Sequence, residues 1–474
     1  PAILTGNYPP SSAVLPLYQN YPQSLFNILS NEYAIHALEQ ATSLAPSDPQ
    51  RKHWRQNNAT LTLFAGDLAV IYLNTVLPES LAKKWFPIDE GLWGGFLSQS
   101  ESPDKKARLK YGEPERARGW RMDRMGDWAR AERLEPIDQY ISAIDDFPNQ
   151  TFHFMHILLP HYPFQHLPSG RLYNFDQWPV PSNHTPNALP DSQPYIDQRR
   201  HAHLLQVGLV DTILGRLTQT LKTNTLYDES LIVLVADHGI AFKEGVDGRI
   251  LSTENIASVG FVPLFIKYPH QKSGTIDSSN AQTIDIAPTI LDVLKAGNTA
   301  PTDGRSLLDK NFIPVIKKLT NRHGTVFEYK ESEYLELRSS EHNDYIQHFP
   351  LDNPNATLYQ RGPGLNYLEL SIDALKDIAI TAVIECPGLQ DLSSIDPQTN
   401  YIPLLLTGTV SCPTENSPEN LIVALTINGA VKAVTQPFDA QNSMLFTMLV
   451  SENDLLRSNN DFKIFLLPSH NDSP

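Results

Sequence analysis

The segment LIVLVADHG, residues 231–239, places an aspartate and a histidine side by side at the end of an apolar run. Asp237 and His238 stand where the chain would leave a buried strand, and Gly239 allows a turn sharp enough for both side chains to face one site. A carboxylate beside an imidazole suits zinc, manganese or calcium, with one position left open for water or a substrate oxygen. An aspartate that caps the next helix beside a surface histidine would give the same dipeptide, so the sequence alone leaves both interpretations open.

Further histidines lie in and after an earlier apolar run, TFHFMHILL, residues 151–159. His161 follows Pro160 in a loop that we expect at the carboxyl end of a strand. There it could protonate a leaving oxygen or bind a tetrahedral anion, because its unperturbed pKa near about 6.5 makes both charge states accessible. Strand parity directs His153 and His156 to opposite faces. His156 is a candidate for contacting the substrate, with a buried, hydrogen-bonded histidine as the alternative.

The elements that must position these residues are apolar runs of strand length, which alternate with runs of helical spacing. Such alternation predicts an α/β fold with a doubly wound, mostly parallel sheet covered on both faces. In that architecture ligands bind at the carboxyl ends of the strands, where the candidate residues lie. The predicted strands cover residues 151–159, 231–236 and 262–267, and the predicted helices cover residues 15–44, 60–77, 198–221 and 283–294.

The character of the sequence changes beyond about residue 320. Alternating apolar and polar runs, such as LIVALTING at residues 421–429, are separated by clusters of proline, asparagine, aspartate and serine. This pattern is typical of a small β-sandwich. We therefore predict an α/β domain over residues 1–320 and a smaller β-rich domain over residues 321–474, whose role is packing or the recognition of carbohydrate.

The net charge argues against one class of partner. Lysine and arginine number 37 against 53 aspartate and glutamate residues, and the resulting charge of −16 repels nucleic acid phosphates. One basic stretch, residues 104–133, interleaves arginines with tryptophans and could contact an anionic substrate or a lipid surface; a solvated helical face is the alternative. The 474 residues contain no apolar run long enough to span a bilayer, and the first residues lack the features of a signal peptide.

The two cysteines, Cys386 and Cys412, each follow an apolar, alternating run and do not have metal-ligand spacing. They could lie on paired strands and form a disulfide, or they could be two buried thiols. The sequence leaves both alternatives open.

Six segments occur in one order along residues 1–310 and together resemble the sulfatase-like branch of the alkaline phosphatase superfamily. PAILTGNYP resembles the helix that follows the nucleophile in sulfatases, and HILLPHYPFQHLPSG resembles their histidine-containing strand and loop. VADHG followed by VPLFIKYP, and TIDIAPTILDVL followed by DGRSLL, complete the set.

The resemblance implies a nucleophile, either a formylglycine made from cysteine or a threonine or serine, bound to one divalent metal ion or a pair. It makes Asp237 and His238 the downstream metal ligands. A basic residue about a dozen positions later would contact the anion; Arg249 stands there in place of the usual lysine, and Lys243 is the alternative. Alignment of PAILTG places the nucleophile before Pro1, so we expect the α/β domain here to lack its first strand and its nucleophile segment.

The implied function is hydrolysis of sulfate or phosphate esters by in-line displacement, with His161 assisting the leaving group and Arg249 binding a non-bridging oxygen. The implied partner is an anionic ester, carried by a glycan or lipid. The alternatives are a transferase that moves a phospho-substituent onto envelope glycans or lipids, and a non-catalytic glycan-binding module. The usual location of the family suggests the periplasm or cell surface. Attachment to a membrane by a segment upstream of residue 1 is a further alternative.

Overall fold

The computed structural model describes residues 1–8, 14–46, 133–148, 150–175, 192–296, 301–309, 316–321, 324–348, 358–359, 362–393, 399–412, 417–440, 443–456 and 459–469. The chain divides into two compact units, Pro1–Ala45 with Tyr140–Pro474, and Pro46–Gln139. The helix predicted over residues 60–77 and nearly all of the basic stretch 104–133 lie outside the described residues.

The described residues form eight α-helices and fifteen strands. The helices are α1 (Ala2–Thr5), α2 (Leu25–Leu29), α3 (Glu135–Ser142), α4 (Gln193–Thr223), α5 (Ile256–Gly260), α6 (Ile286–Leu294), α7 (Glu331–His348) and α8 (Ile372–Lys376). The strands are β1 (Ala34–Glu39), β2 (Thr151–His156), β3 (Leu172–Tyr173), β4 (Ile232–Val235), β5 (Leu264–Lys267), β6 (Ile316–Thr320), β7 (Val326–Lys330), β8 (Val383–Glu385), β9 (Tyr401–Ile402), β10 (Leu405–Ser411), β11 (Leu421–Ile427), β12 (Ala430–Thr435), β13 (Phe438–Ala440), β14 (Ser443–Leu449) and β15 (Phe462–Pro468).

Strands β1 and β2 run parallel, in a register that aligns Glu39 with His156 at their carboxyl ends. Helices α1, α2 and α6 share one hydrophobic core, to which these two strands contribute apolar side chains. At its centre Phe26 is fully buried, with its ring centroid 5.4 Å from that of Phe152 and 5.1 Å from that of Phe154. This core supports the end of the strand pair at which His156 lies.

The helix predicted over residues 15–44 is wrong for most of that range. The structure has a 3₁₀ turn at Tyr18–Asn20 and the five-residue helix α2 there, followed by strand β1. Residues 34–39 have alanine, leucine and glutamate, which favour a helix, but their backbone groups pair with β2 instead. Tertiary pairing with a distant strand therefore overrides the local preference.

Strand β4 pairs with β5 in the antiparallel direction, from Ile232 opposite Lys267 to Val235 opposite Leu264. In the described part of the chain, β1 with β2 and β4 with β5 are separate two-stranded sheets, one parallel and one antiparallel. The fold is thus of mixed α and β composition, and the doubly wound, mostly parallel sheet stays a prediction. Helix α4, with 31 residues, extends beyond the predicted range 198–221 at both ends.

The C-terminal part contains two antiparallel sheets with the strand orders β13-β14-β10-β8 and β12-β11-β15. Both contribute to one hydrophobic core, which includes Val423 and Leu425 from β11 and Phe446 and Met448 from β14. The alternation of apolar and polar residues that predicts strands beyond residue 320 is confirmed for these segments.

Two connections join this C-terminal core to the segment that follows β2. Strand β3 pairs in parallel with β9, with Leu172 opposite Tyr401. The side chain of Asn174 donates to the carbonyl of Leu405 at 2.8 Å and accepts from its N–H at 2.9 Å. Phe164 belongs to the same core. The core thus contains residues from both sides of the predicted boundary at residue 320, and that boundary stays a prediction.

Cys386 and Cys412 are not joined by a disulfide. The register of β8 and β10 pairs Glu385 with Thr409, so Cys386 stands opposite Gly408, four residues before Cys412. At about 3.4 Å per residue this separation exceeds the reach of a disulfide. Burial raises the pKa of the Cys386 thiol to about 11, which keeps it protonated at neutral pH.

None of the helices in the described ranges combines the length and apolar content that crossing a membrane requires.

Candidate active site

The chain turns sharply at Gly239, directly after β4 and the Asp237–His238 pair. The N–H of Gly239 donates to the carbonyl of Val259 at 2.8 Å, which holds the turn against helix α5. A Cβ at Gly239 would lie 2.0 Å from the carbonyl oxygen of Ser258, so no larger residue fits without movement of the backbone. The close approach therefore explains why glycine follows the pair.

Hydrogen bonds within the turn orient both candidate metal ligands. The backbone N–H of His238 donates to Asp237 Oδ1 at 2.9 Å, and His238 Nδ1 lies 2.8 Å from the carbonyl oxygen of Gly239. Because a carbonyl oxygen can only accept, Nδ1 carries a proton, and in the neutral ring Nε2 is then the nitrogen with the lone pair. A histidine that binds metal is commonly fixed in this way.

The donor set fits a divalent cation in its chemistry. His238 Nε2 and Asp237 Oδ2 are 3.9 Å apart, and the aspartate side chain is 65% exposed. Within the ranges that the structure describes, no group of three or more histidine, cysteine, aspartate or glutamate residues is arranged to hold an ion. Asp237 and His238 are two oriented candidate ligands, and metal binding by them stays a prediction.

Arg249 and His161, 88 residues apart in sequence, meet in the structure: Arg249 Nη1 lies 3.2 Å from His161 Nε2. The other ring nitrogen, Nδ1, lies 2.5 Å from the carbonyl oxygen of Tyr162. A guanidinium can only donate and a carbonyl can only accept, so the ring is neutral, with the proton on Nδ1. The structure therefore places the permanently charged guanidinium of Arg249 beside Nε2, the unprotonated nitrogen of His161.

A compact loop between β4 and α5 presents Arg249. Asp247 Oδ1 accepts from the backbone N–H groups of Arg249 and Ile250, at 2.8 and 2.6 Å. Asn255, which is 1% exposed, donates to the carbonyls of Asp247 and Ile250. These side-chain bonds replace regular secondary structure and fix the backbone from which the arginine projects.

Lys243 lies in the same loop, but its side chain is exposed. Its one described contact is through its carbonyl, which accepts from the N–H of Val246. Of the two basic residues considered for anion binding, the structure brings Arg249 and not Lys243 to His161.

The carboxyl ends of β1 and β2 hold a second polar group that the sequence does not reveal. The hydroxyl of Thr42 donates to Glu39 Oε1 at 2.6 Å, and Glu39 Oε2 accepts from the N–H of Ala45 at 2.8 Å. His156 Nδ1 lies 3.2 Å from Thr42 Oγ1. Since the hydroxyl proton points to the carboxylate, His156 Nδ1 is the donor in this contact.

His153 faces a different partner, as strand parity predicts. Its Nδ1 lies 3.0 Å from Nδ1 of His36, which is 5% exposed and stacks between the rings of Tyr140 and Phe147. Burial lowers the pKa of His153. This pair therefore belongs to the interior, whereas His156 belongs to the polar group with Thr42.

Thr5, the last residue of α1, is buried, and its hydroxyl donates to the carbonyl of Pro1 at 3.1 Å, which is a structural role.

Comparisons with known proteins identify the family. The family model for Sulfatase matches residues 1–296. The multifunctional alkaline phosphatase superfamily protein PehA of Trinickia caryophylli is 32% identical over 116 residues, which cover 24% of this chain and only 22% of that protein. 

Several solved structures are similar to the chain at low sequence identity. The phosphonate monoester hydrolase SpPMH from Silicibacter pomeroyi gives a TM-score of 0.37 at 16% identity, over 73% of this chain and 84% of that chain. The phosphonate monoester hydrolase of Agrobacterium radiobacter gives 0.36 at 14% identity, over 73% and 86% of the two chains. The lipoteichoic acid synthase LtaP from Listeria monocytogenes gives 0.25 at 19% identity, over 46% and 59%.

The family assignment rests on the sequence match alone. That match covers more than half of the 474 residues and contains both the Asp237–His238 turn and the His161–Arg249 contact. The chain belongs to the sulfatase family.

Proposed function

We propose that the protein is a metal-dependent hydrolase of sulfate or phosphate esters. The observation that carries the proposal is the contact of 3.2 Å between Arg249 and His161, which puts an anion-binding group beside a titratable imidazole. Membership of the sulfatase family supports the same reaction class.

Arg249 would bind the tetrahedral group of the ester. Its guanidinium is always charged, and its planar set of N–H donors matches two oxygens of a sulfate or phosphate. The side chain is exposed, whereas the backbone that carries it is fixed through Asp247. An anion can therefore reach the guanidinium without a rearrangement of the loop.

His161 would supply the proton to the leaving oxygen. The carbonyl of Tyr162 holds the proton on Nδ1, so Nε2 is the nitrogen that titrates. An anionic ester that takes over the N–H of Arg249 leaves Nε2 open to a proton, and the negative charge nearby favours the imidazolium form. Nε2 could then donate that proton as the ester bond breaks.

Asp237 Oδ2 and His238 Nε2 are the atoms that would hold the divalent ion. Calcium, zinc and manganese are all compatible with one carboxylate and one imidazole. When bound, such an ion would lower the pKa of the nucleophile and offset the charge that develops on the transferred group. The hydrogen bond from His238 Nδ1 to Gly239 keeps Nε2 directed away from the backbone, ready to bind.

The finer parts of the proposal concern substrate and location. We propose an ester carried by a glycan or a lipid, outside the cytoplasm. The support is membership of the sulfatase family together with the net charge of −16, which disfavours nucleic acid.

Turnover of 4-nitrophenyl sulfate, phosphate and phenylphosphonate by the purified full-length protein, with calcium, zinc or manganese added, tests the proposal. We expect Asp237→Ala to lose bound metal in mass spectrometry, and Arg249→Ala to lower kcat/KM by about 10²- to 10³-fold. Lys243→Ala is the matched control and should change neither. Unchanged metal content and turnover in Asp237→Ala would refute the proposal, and transfer of the group to an alcohol instead of water would indicate a transferase.

A further inference from the structure

Helix α4 reaches the His161 loop through a glutamine that is fully buried. The side chain of Gln206 is 0% exposed, and its Nε2 donates to the carbonyl oxygen of His161 at 2.9 Å. Its Oε1 accepts from the backbone N–H groups of Gln165 and His166, at 3.1 and 3.3 Å. One side chain thus holds the loop at its beginning and at its end.

Other residues of the same helix support the loop by packing. The guanidinium of Arg199 lies 5.0 Å from the ring centroid of Tyr162, the residue whose carbonyl binds His161 Nδ1. The ring of His203 lies 5.2 Å from that of Phe164 and 5.4 Å from that of Phe242. Phe242 belongs to the loop that carries Arg249, so helix α4 contacts both halves of the candidate anion site.

The hydrogen bond from Gln206 to the His161 carbonyl affects the position of the imidazole. That carbonyl and the carbonyl of Tyr162, which accepts from the imidazole, belong to successive peptide units on either side of the Tyr162 Cα. If the Gln206 amide no longer held the first carbonyl, the peptide between His161 and Tyr162 could rotate, and the imidazole would move with it. A shift of about 1 Å at a catalytic group costs on the order of 10²-fold in rate.

We propose that Gln206 is a positioning residue that sets His161 Nε2 against Arg249. The proposal rests on the role of His161 in the proposed function, but it concerns the position of the ring and can be tested without turnover.

Two substitutions separate the parts of the interaction. Gln206→Glu keeps an acceptor for the N–H groups of Gln165 and His166 but replaces the donor to the His161 carbonyl by an oxygen. Gln206→Met removes both functions at similar volume. Gln198→Met is the matched buried control, because Gln198 lies on the same helix, is 6% exposed and makes no described hydrogen bond to residues 161–166. Gln219→Met is the exposed control.

Nitrogen-15 NMR of the histidine rings gives the readout that is independent of activity, with the His161 signals assigned from His161→Asn. In the wild type we expect a single tautomer with the proton on Nδ1. In Gln206→Glu and Gln206→Met we expect the His161 signals to shift toward a mixture of tautomers, while both controls keep the wild-type signals. With an active protein, kcat should fall about 10- to 100-fold in both Gln206 variants, and KM should change far less.

Wild-type signals for His161 in folded Gln206→Glu and Gln206→Met would overturn the proposal. So would a wild-type protein in which Nε2 carries the proton, a result that does not depend on whether either variant folds. Absence of turnover in the wild type, with the tautomer shift still present in the variants, would refute the proposed function and leave the positioning role standing.

Discussion

Replacing Gly239 by alanine tests whether the turn after β4 sets the positions of Asp237 and His238. The added Cβ would lie 2.0 Å from the carbonyl oxygen of Ser258, in a turn held by the bond from Gly239 N to the carbonyl of Val259. No rotamer change relieves a contact between a Cβ and a backbone atom, so the turn itself must move.

The size of the movement follows from the contact. Cβ atoms essentially never come closer than 3.0 Å to a neighbouring heavy atom, so the turn and helix α5 must separate by at least about 1 Å. Overpacking of this kind costs about 1–3 kcal/mol in the free energy of unfolding. That is less than the about 5–15 kcal/mol of a typical domain, so Gly239→Ala should remain folded. A displacement of about 1 Å at Asp237 and His238 should nevertheless cost on the order of 10²-fold in turnover.

Urea denaturation, metal content by mass spectrometry and turnover of aryl esters measure the three effects. Gly215→Ala is the matched control, because a Cβ at this position in helix α4 meets no atom within 4 Å. In a helix the change from glycine to alanine should add about 0.5–1 kcal/mol to the free energy of unfolding. If Gly239→Ala matches this control in stability, metal content and turnover, the argument that the close turn positions the pair is wrong.

Three further predictions concern the surroundings of the site. Thr42→Val removes the hydroxyl that receives His156 Nδ1 and should lower kcat/KM on the order of 10-fold, which Thr42→Ser should restore in steady-state kinetics. Asn174→Leu leaves the N–H and carbonyl of buried Leu405 without their partner and should lower the free energy of unfolding in urea by about 2–4 kcal/mol. Burial lowers the pKa of His203 to about 4, so below about pH 6.5 the unfolded chain binds the extra proton and stability falls as the pH drops toward 4. His203→Phe should flatten this loss in thermal melts between pH 4.5 and 7, and an unchanged slope would contradict the assignment.

The sequence predicted the residues whose positions depend on their immediate neighbours. Asp237 and His238 precede a glycine at the end of an apolar run, and the structure places them at the turn that follows β4. His161 follows Pro160 after another such run and lies in the loop beyond β2. In both cases an apolar run, a glycine or proline and the polar residue lie within a few positions of one another. The local sequence was therefore sufficient to predict where these residues lie.

Glu39 and Thr42 are not visible in the sequence for a corresponding reason. Glu39 ends, and Thr42 follows, a strand whose residues favour a helix, and that strand forms only because β2 pairs with it. Thr42 meets His156 across 114 residues of sequence. No local sequence pattern indicates a partner at that distance. When residues 34–39 are predicted as a helix, no strand end is predicted at Glu39. The antiparallel direction of β5 relative to β4 could not be predicted for a similar reason, because the composition of a strand does not determine which strand it pairs with or in which direction.

The contact between Arg249 and His161 gives a physical reason for an arginine where the resemblance leads one to expect lysine. A lysine has one nitrogen, so an ammonium that binds His161 Nε2 has to reach a substrate oxygen from that same atom. Arginine has five N–H donors in a rigid fork, and Nη1 can stay near the imidazole while other N–H groups face an anion. Arg249 is exposed and uses only Nη1 among its described side-chain contacts. Under the proposed function, the substitution would therefore let one side chain lie beside the imidazole and bind the anion at the same time.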